Sequence, residues 1–148
     1  LGMNIIVSTR TSREDTDSIH FTTREEVLRQ SDFISLNCPL NESTHHMINK
    51  EALDMMKPTA YLINTARGAL IDENALIDAL QHSVIAGAGL DVQEKEPLDD
   101  ASPLYTLDNV IITPHMGWRG LETRKRLISL IKDNISAFSK GQPINRVD

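Results

Sequence analysis

Short apolar runs alternate with stretches of helical periodicity along most of this chain. Asn4 to Ser8 reads as a strand, and the polar segment Arg10 to Ser18 as a loop. Thr22 or Thr23 can cap a helix through Glu25, Val27 and Leu28, with acids in its first turn. Asp32 to Leu36 is the next apolar run, ended by Pro39. Asn49 can cap a short helix over Lys50 to Met56, closed by Lys57-Pro58. Ala60 to Asn64 predicts a strand, and Asp72 opens a helix with Ala75, Leu76, Ala79 and Leu80 on one face. Ile85 to Val92 is a small-residue strand, and Val110 to Thr113 another. A long amphipathic helix runs from about Leu121 to Phe138, with Leu127, Leu130, Ile131 and Ile135 at helical spacing.

Tyr61-Leu62-Ile63 and Val110-Ile111-Ile112 are apolar throughout rather than alternating. Such runs predict strands covered on both faces, as in a parallel α/β sheet. The alternation of strand and helix predicts the same class. No internal repeat or low-complexity segment interrupts it.

Composition narrows the function. At 148 residues the chain is long enough for one domain with a sizeable core. The net charge of −6 argues against a nucleic-acid or anionic-membrane partner. The basic cluster Arg119, Arg124, Lys125, Arg126 has a helical pattern and reads as a solvated face. One cysteine, Cys38, rules out a disulfide framework and favours a reducing, cytoplasmic setting. No apolar stretch approaches membrane-spanning length. The opening Leu1-Gly2-Met3 is unlike a translation start, so further chain is expected ahead of it.

Three strand ends carry candidate chemistry. Arg67 stands where a strand gives way to a turn, and Gly68 is expected to let the backbone bend there. A guanidinium at that point can clamp a carboxylate in bidentate fashion and polarise an adjacent carbonyl, or pair with an acid at the sheet edge. His115 follows Thr113-Pro114, and imidazole is the usual acid/base near neutral pH. Glu96, in an acidic loop, reads on its own as a solvated acid; hydrogen-bonded to such a histidine it would orient the ring and favour its charged form, with Glu94 the less suited of the two. Asp91 can accept from a ligand amide or cap the following loop. Gly87 and Gly89 mark close backbone approach, by a ligand or by packing. His45 and His46 lie in a polar turn with no Cys or carboxylate at ligand spacing, so no metal site is expected. His20 and His82 read as surface residues, and Cys38, Met55 and Met56 as apolar filler.

Together these motifs resemble the D-isomer-specific 2-hydroxyacid dehydrogenases. Cys38-Pro39-Leu40, Met56-Lys57-Pro58, Ile63 through Gly68, Asp72-Glu73 with Ala75-Leu76, Ala86 through Val92, Glu96-Pro97 and Thr113-Pro114-His115 carry the likeness, in family order. Trp118, close behind His115, points toward the glycerate dehydrogenase/hydroxypyruvate reductase type. The resemblance implies an oxidoreductase that reduces a small 2-keto acid such as hydroxypyruvate or glyoxylate. Arg67 would then bind the substrate's carboxylate and carbonyl, His115 would be the acid/base, and Glu96 would hold the histidine. Asp91 and the backbone around Thr65, Ala66 and Gly117 would position the nicotinamide. Cys38 and Pro39 would line the adenine side, and Trp118 would shape the substrate pocket. A homodimer of the full-length protein is implied as well.

Two departures qualify the likeness. No Gly-x-Gly-x-x-Gly occurs, and the family carries it just upstream of the equivalent of Leu1-Gly2, on the central strand. The chain therefore reads as a Rossmann-like parallel sheet, with helices on both faces, that lacks its first, central strand and Gly-rich loop. Residues 1–118 would be part of a dinucleotide-binding domain, and 119–148 the helix and tail returning to a substrate domain. Such a piece is expected to leave Ile5-Ile6-Val7 and Phe33-Ile34-Ser35 without a shared neighbour, and to be inactive alone. The second departure is Thr9, flanked by Ser8 and Arg10, where NAD-preferring members carry an acid. Hydroxyls and a guanidinium suit a 2′-phosphate, so NADP is expected over NAD. The competing expectation is a dinucleotide-sensing transcriptional corepressor, since those relatives keep the same Arg, Glu and His.

Overall fold

The computed structural model describes residues 2–11 and 13–147. The chain divides into two compact units, residues 1–114 and 115–148.

The first unit contains two parallel sheets. In one, the β-branched strand β1 (Ile5–Val7) pairs with β2 (Ile19–Phe21), Ile5 opposite Ile19 and Val7 opposite Phe21. The sequence does not predict β2. The segment ahead of it is drawn in by side chains: Asp15 Oδ1 accepts the Phe21 N–H at 2.7 Å, and Thr16 Oγ1 accepts the Ile19 N–H at 3.1 Å. Helix α1 (Arg24–Gln30) follows, capped by Thr23, whose Oγ1 accepts the Glu26 N–H at 3.2 Å.

The second sheet has four strands in the order β3 (Phe33–Leu36), β4 (Tyr61–Asn64), β5 (Gly87–Leu90) and β6 (Val110–Ile112), all parallel. Helix α2 (Lys50–Asp54) connects β3 to β4 and α3 (Glu73–Gln81) connects β4 to β5. Asn49 and Asp72 cap them as expected, accepting the Ala52 and Ala75 N–H groups. Among the described residues no strand pairs with both β1 and β3, as the sequence predicts.

One face of this sheet meets the core. Ile34, Leu36, Leu62, Ala88 and Leu90 pack in one cluster with Ala52 and Leu53 of α2 and Leu76, Ala79 and Leu80 of α3. The alternate residues differ from the expectation of two covered faces: Phe33 is 64% exposed, Tyr61 43% and Ile111 73%. Uniform apolarity shows that a strand can be covered twice; burial depends on what packs against it. The Phe33 and Tyr61 rings stack with centroids 5.6 Å apart. Tyr61 also leans on Gly87, where an added Cβ would meet its ring at 3.0 Å and Asn109 O at 2.6 Å. That glycine is explained by packing.

The second unit consists of the His115–Gly120 segment, helix α4 (Leu121–Ser139) and a tail. None of the residues of α4 is buried, and its apolar stripe of Leu127, Leu130, Ile131 and Ile135 is open.

Candidate functional site

The turn after β4 is built around Asn64, whose side chain is fully buried. Its Oδ1 accepts the Ala66 N–H at 3.1 Å, and its Nδ2 donates to Arg67 O at 2.9 Å. One buried amide thus satisfies a donor and an acceptor of the turn and sets its path. The sequence singles out the Asn64–Gly68 stretch but not this role for Asn64. Thr65 and Arg67 are exposed, and an Arg67 guanidinium N–H donates to Ala66 O at 2.6 Å.

Gly68 serves a purpose other than the expected bend. A Cβ there would fall 1.9 Å from both the carbonyl carbon and oxygen of Gln93 and 2.4 Å from Glu94 N. The Arg67 turn and the loop after β5 therefore touch backbone to backbone, and only glycine permits it. In that loop Glu96 accepts the Gln93 N–H at 3.2 Å. At the foot of the loop Asp91, 8% exposed, accepts from Thr113 Oγ1 at 2.5 Å. The hydroxyl ties the ends of β5 and β6 together.

The carboxyl ends of β3 and β4 border an open cleft of about 360 Å³, lined by Asn37, Cys38, Pro39, Leu40, Ala66 and Arg67. Cys38, Pro39, Ala66 and Arg67 are thus brought together. Cys38 is half-buried, its Sγ 3.6 Å from Met47 Sδ. Ser8, Thr9 and Arg10 stand exposed past the end of β1, with Thr9 Oγ1 donating to Thr11 O at 2.7 Å. In the second unit His115 is half-buried with φ 47°, Gly117 is exposed and Trp118 is 55% exposed.

One expectation needs correction, that no carboxylate stands at ligand distance from the His45-His46 turn: Glu94 Oε1 lies 2.8 Å from His46 Nε2, and the Glu94 N–H donates to Glu73 Oε2 at 3.3 Å. The carboxylate that local spacing denied to His45 and His46 is supplied from 48 residues away. Nothing in the sequence signals that approach.

Residues 1–117 of the chain match a known family, described as "D-isomer specific 2-hydroxyacid dehydrogenase, NAD binding domain". The chain belongs to the D-isomer-specific 2-hydroxyacid dehydrogenase family. Among its relatives in that family it is 43% identical over 151 residues to a glyoxylate reductase of Korarchaeum cryptofilum, covering 99% of this chain and 46% of the relative. It is 39% identical over 150 residues to a hydroxypyruvate reductase of Blautia hydrogenotrophica, covering 100% and 47%. A solved D-isomer specific 2-hydroxyacid dehydrogenase from Xanthobacter autotrophicus Py2, in complex with NADPH and MES, superimposes with TM-score 0.84 at 34% identity, covering 99% of this chain and 62% of that one. The chain thus spans about half the length of these reductases.

The donor set suits the dinucleotide that the family binds. Open α/β sheets take ligands at the carboxyl ends of their strands, where this cleft lies. Its lining includes apolar Pro39, Leu40 and Ala66, and the segment past β1 offers exposed hydroxyls and a guanidinium, groups of the kind that suit ribose and phosphate.

Proposed function

We propose that the protein carrying this chain reduces a small 2-keto acid of the glyoxylate or hydroxypyruvate type to the D-2-hydroxy acid. The Arg67 turn carries the reading: an exposed guanidinium on a turn fixed by buried Asn64 and by the Gly68 contact, at the mouth of an open cleft. The names of the relatives support it, and they favour a reductase over a corepressor.

In this proposal Arg67 takes the substrate carboxylate and carbonyl oxygen in its planar fork. His115 gives a proton to the carbonyl oxygen in reduction and takes one from the hydroxyl in oxidation. Glu96 orients the imidazole. A bound nicotinamide dinucleotide supplies the hydride. Asp91, with the backbone at Thr65, Ala66 and Gly117, positions the nicotinamide. Cys38 and Pro39 flank the adenine, and Trp118 bounds the substrate side chain. Ser8, Thr9 and Arg10 favour a 2′-phosphate, hence NADP over NAD. Residues 1–118 form part of the dinucleotide domain, and residues from 119 onward return to a substrate domain. The whole protein works as a cytoplasmic homodimer, and the isolated chain is inactive.

Steady-state reduction of glyoxylate and hydroxypyruvate by the full-length protein tests the reading. His115→Asn suits the left-handed backbone at that position. It should lower kcat by ~10²–10⁴-fold, the usual weight of a general acid. Undiminished turnover in that variant overturns the assignment. Arg10→Ala should cut kcat/KM for NADPH while leaving NADH unchanged, and equal efficiency with both cofactors in both backgrounds refutes the preference.

A further inference from the structure

The His45-His46 turn carries more than the hydrogen bond to Glu94. One ring nitrogen of each histidine and a carboxylate oxygen of Glu94 lie within 4.8 Å of one another. The two rings stack, with centroids 3.9 Å apart and planes inclined by 25°. Adjacent side chains seldom share one side of the backbone. Here they do so, with His46 at φ 49° in the left-handed region.

The surroundings hold this arrangement. Thr44 Oγ1 accepts the Asn41 N–H and donates to Pro39 O, both at 2.8 Å. The His46 N–H donates to Ala69 O at 2.9 Å. The Glu94 backbone is anchored on the Glu73 carboxylate. The His46 and Glu94 side chains remain about one-third exposed, so a hydrated ion can reach them.

We infer that His45, His46 and Glu94 form a binding site for a divalent ion of the zinc class. Two imidazoles and one carboxylate are a borderline donor set that suits Zn²⁺, with water completing the sphere. Around a tetrahedral Zn²⁺, bonds of about 2.1 Å place donor atoms about 3.4 Å apart. That spacing lies between the 2.8 Å of the His46–Glu94 pair and the 4.8 Å limit of the set. Small rotations of exposed side chains close the difference. The ion would clip the turn after β3 to the loop after β5. This site is separate from the reductase reading and is tested by binding alone.

The experiment titrates Zn²⁺ into metal-stripped protein against a chromophoric chelator and records the melting temperature with and without Zn²⁺. His45→Phe keeps a stacked ring without a ligand nitrogen, and His46→Asn tolerates the left-handed backbone. Glu94→Gln keeps the shape of the carboxylate. His20→Asn and His82→Asn are controls, since each of those histidines only pairs with a nearby aspartate. One equivalent should bind and raise the melting temperature. Binding should be lost in His45→Phe and His46→Asn, weakened in Glu94→Gln and kept in the controls. No one-to-one binding by the unmodified protein, or binding that survives His46→Asn, or loss in the controls instead, overturns the inference.

Discussion

Gly68→Ala is the sharpest perturbation this fold allows. The added methyl would lie 1.9 Å from the Gln93 carbonyl, short of the 3.4 Å of ordinary contact by 1.5 Å. Backbone atoms stand on both sides, so no side chain can rotate away. The Arg67 turn and the 93–96 loop must separate. Overpacking of this kind costs about 1–3 kcal/mol, and the backbone contact places the cost near ~3 kcal/mol or above. At ~2–4 °C per kcal/mol, the melting temperature should fall by about 6–12 °C. Under the proposed function Arg67 holds the substrate, where a shift above 1 Å costs about a hundredfold in rate, so kcat/KM of the full-length protein for glyoxylate should drop by about that factor. Thermal unfolding and steady-state kinetics on one preparation measure both. Gly89→Ala is the control, since its Cβ would meet only the tip of Ile63, at 3.2 Å. A Gly68→Ala protein that melts within about 2 °C of the unmodified one, with unchanged kcat/KM, refutes the reasoning.

Asn64→Ala removes two hydrogen bonds of the Arg67 turn; Arg67 O keeps the Leu70 N–H, but the Ala66 N–H loses its acceptor, at a cost of about 1–3 kcal/mol. A lower melting temperature with a raised KM for the keto acid is expected. Thr113→Val strips the hydroxyl from the buried Asp91 carboxylate and should destabilise by about 1–3 kcal/mol, read by denaturant titration. The Phe21 N–H, then His20, holds the Asp15 carboxyl below its ordinary value of 3.8. A depressed folded pKa gives stability that is present above that value and lost as pH falls through the lowered one. Protection of the Phe21 amide, measured against its intrinsic exchange rate at each pH, should therefore fall on acidification, and Asp15→Asn should flatten the dependence.

Local chemistry is what the sequence displays best. Thr23, Asn49 and Asp72 cap their helices because a cap needs only a neighbour three residues on. The apolar runs of β3, β4 and β6 are equally plain. Strand β2 is hidden because Ile19-His20-Phe21 is short, contains a histidine and pairs with a strand across a polar loop. Arg67 is legible as a strand-end cation. The need for glycine beside it is not, because Gln93 lies 25 residues away in the chain. His46 and Glu94 escape notice for the same reason, as does the open face of Phe33, Tyr61 and Ile111, which depends on packing rather than on residue type.

Trp118 is the sole tryptophan of the chain, and it lies three residues beyond His115 with its indole more than half exposed. Indole emission from this stretch of polypeptide therefore has a single origin. Its wavelength tracks how much water surrounds one known position, with no label attached. A molecule that covers the indole turns the emission blue, whereas a molecule held elsewhere leaves it red, so one cuvette separates the two events.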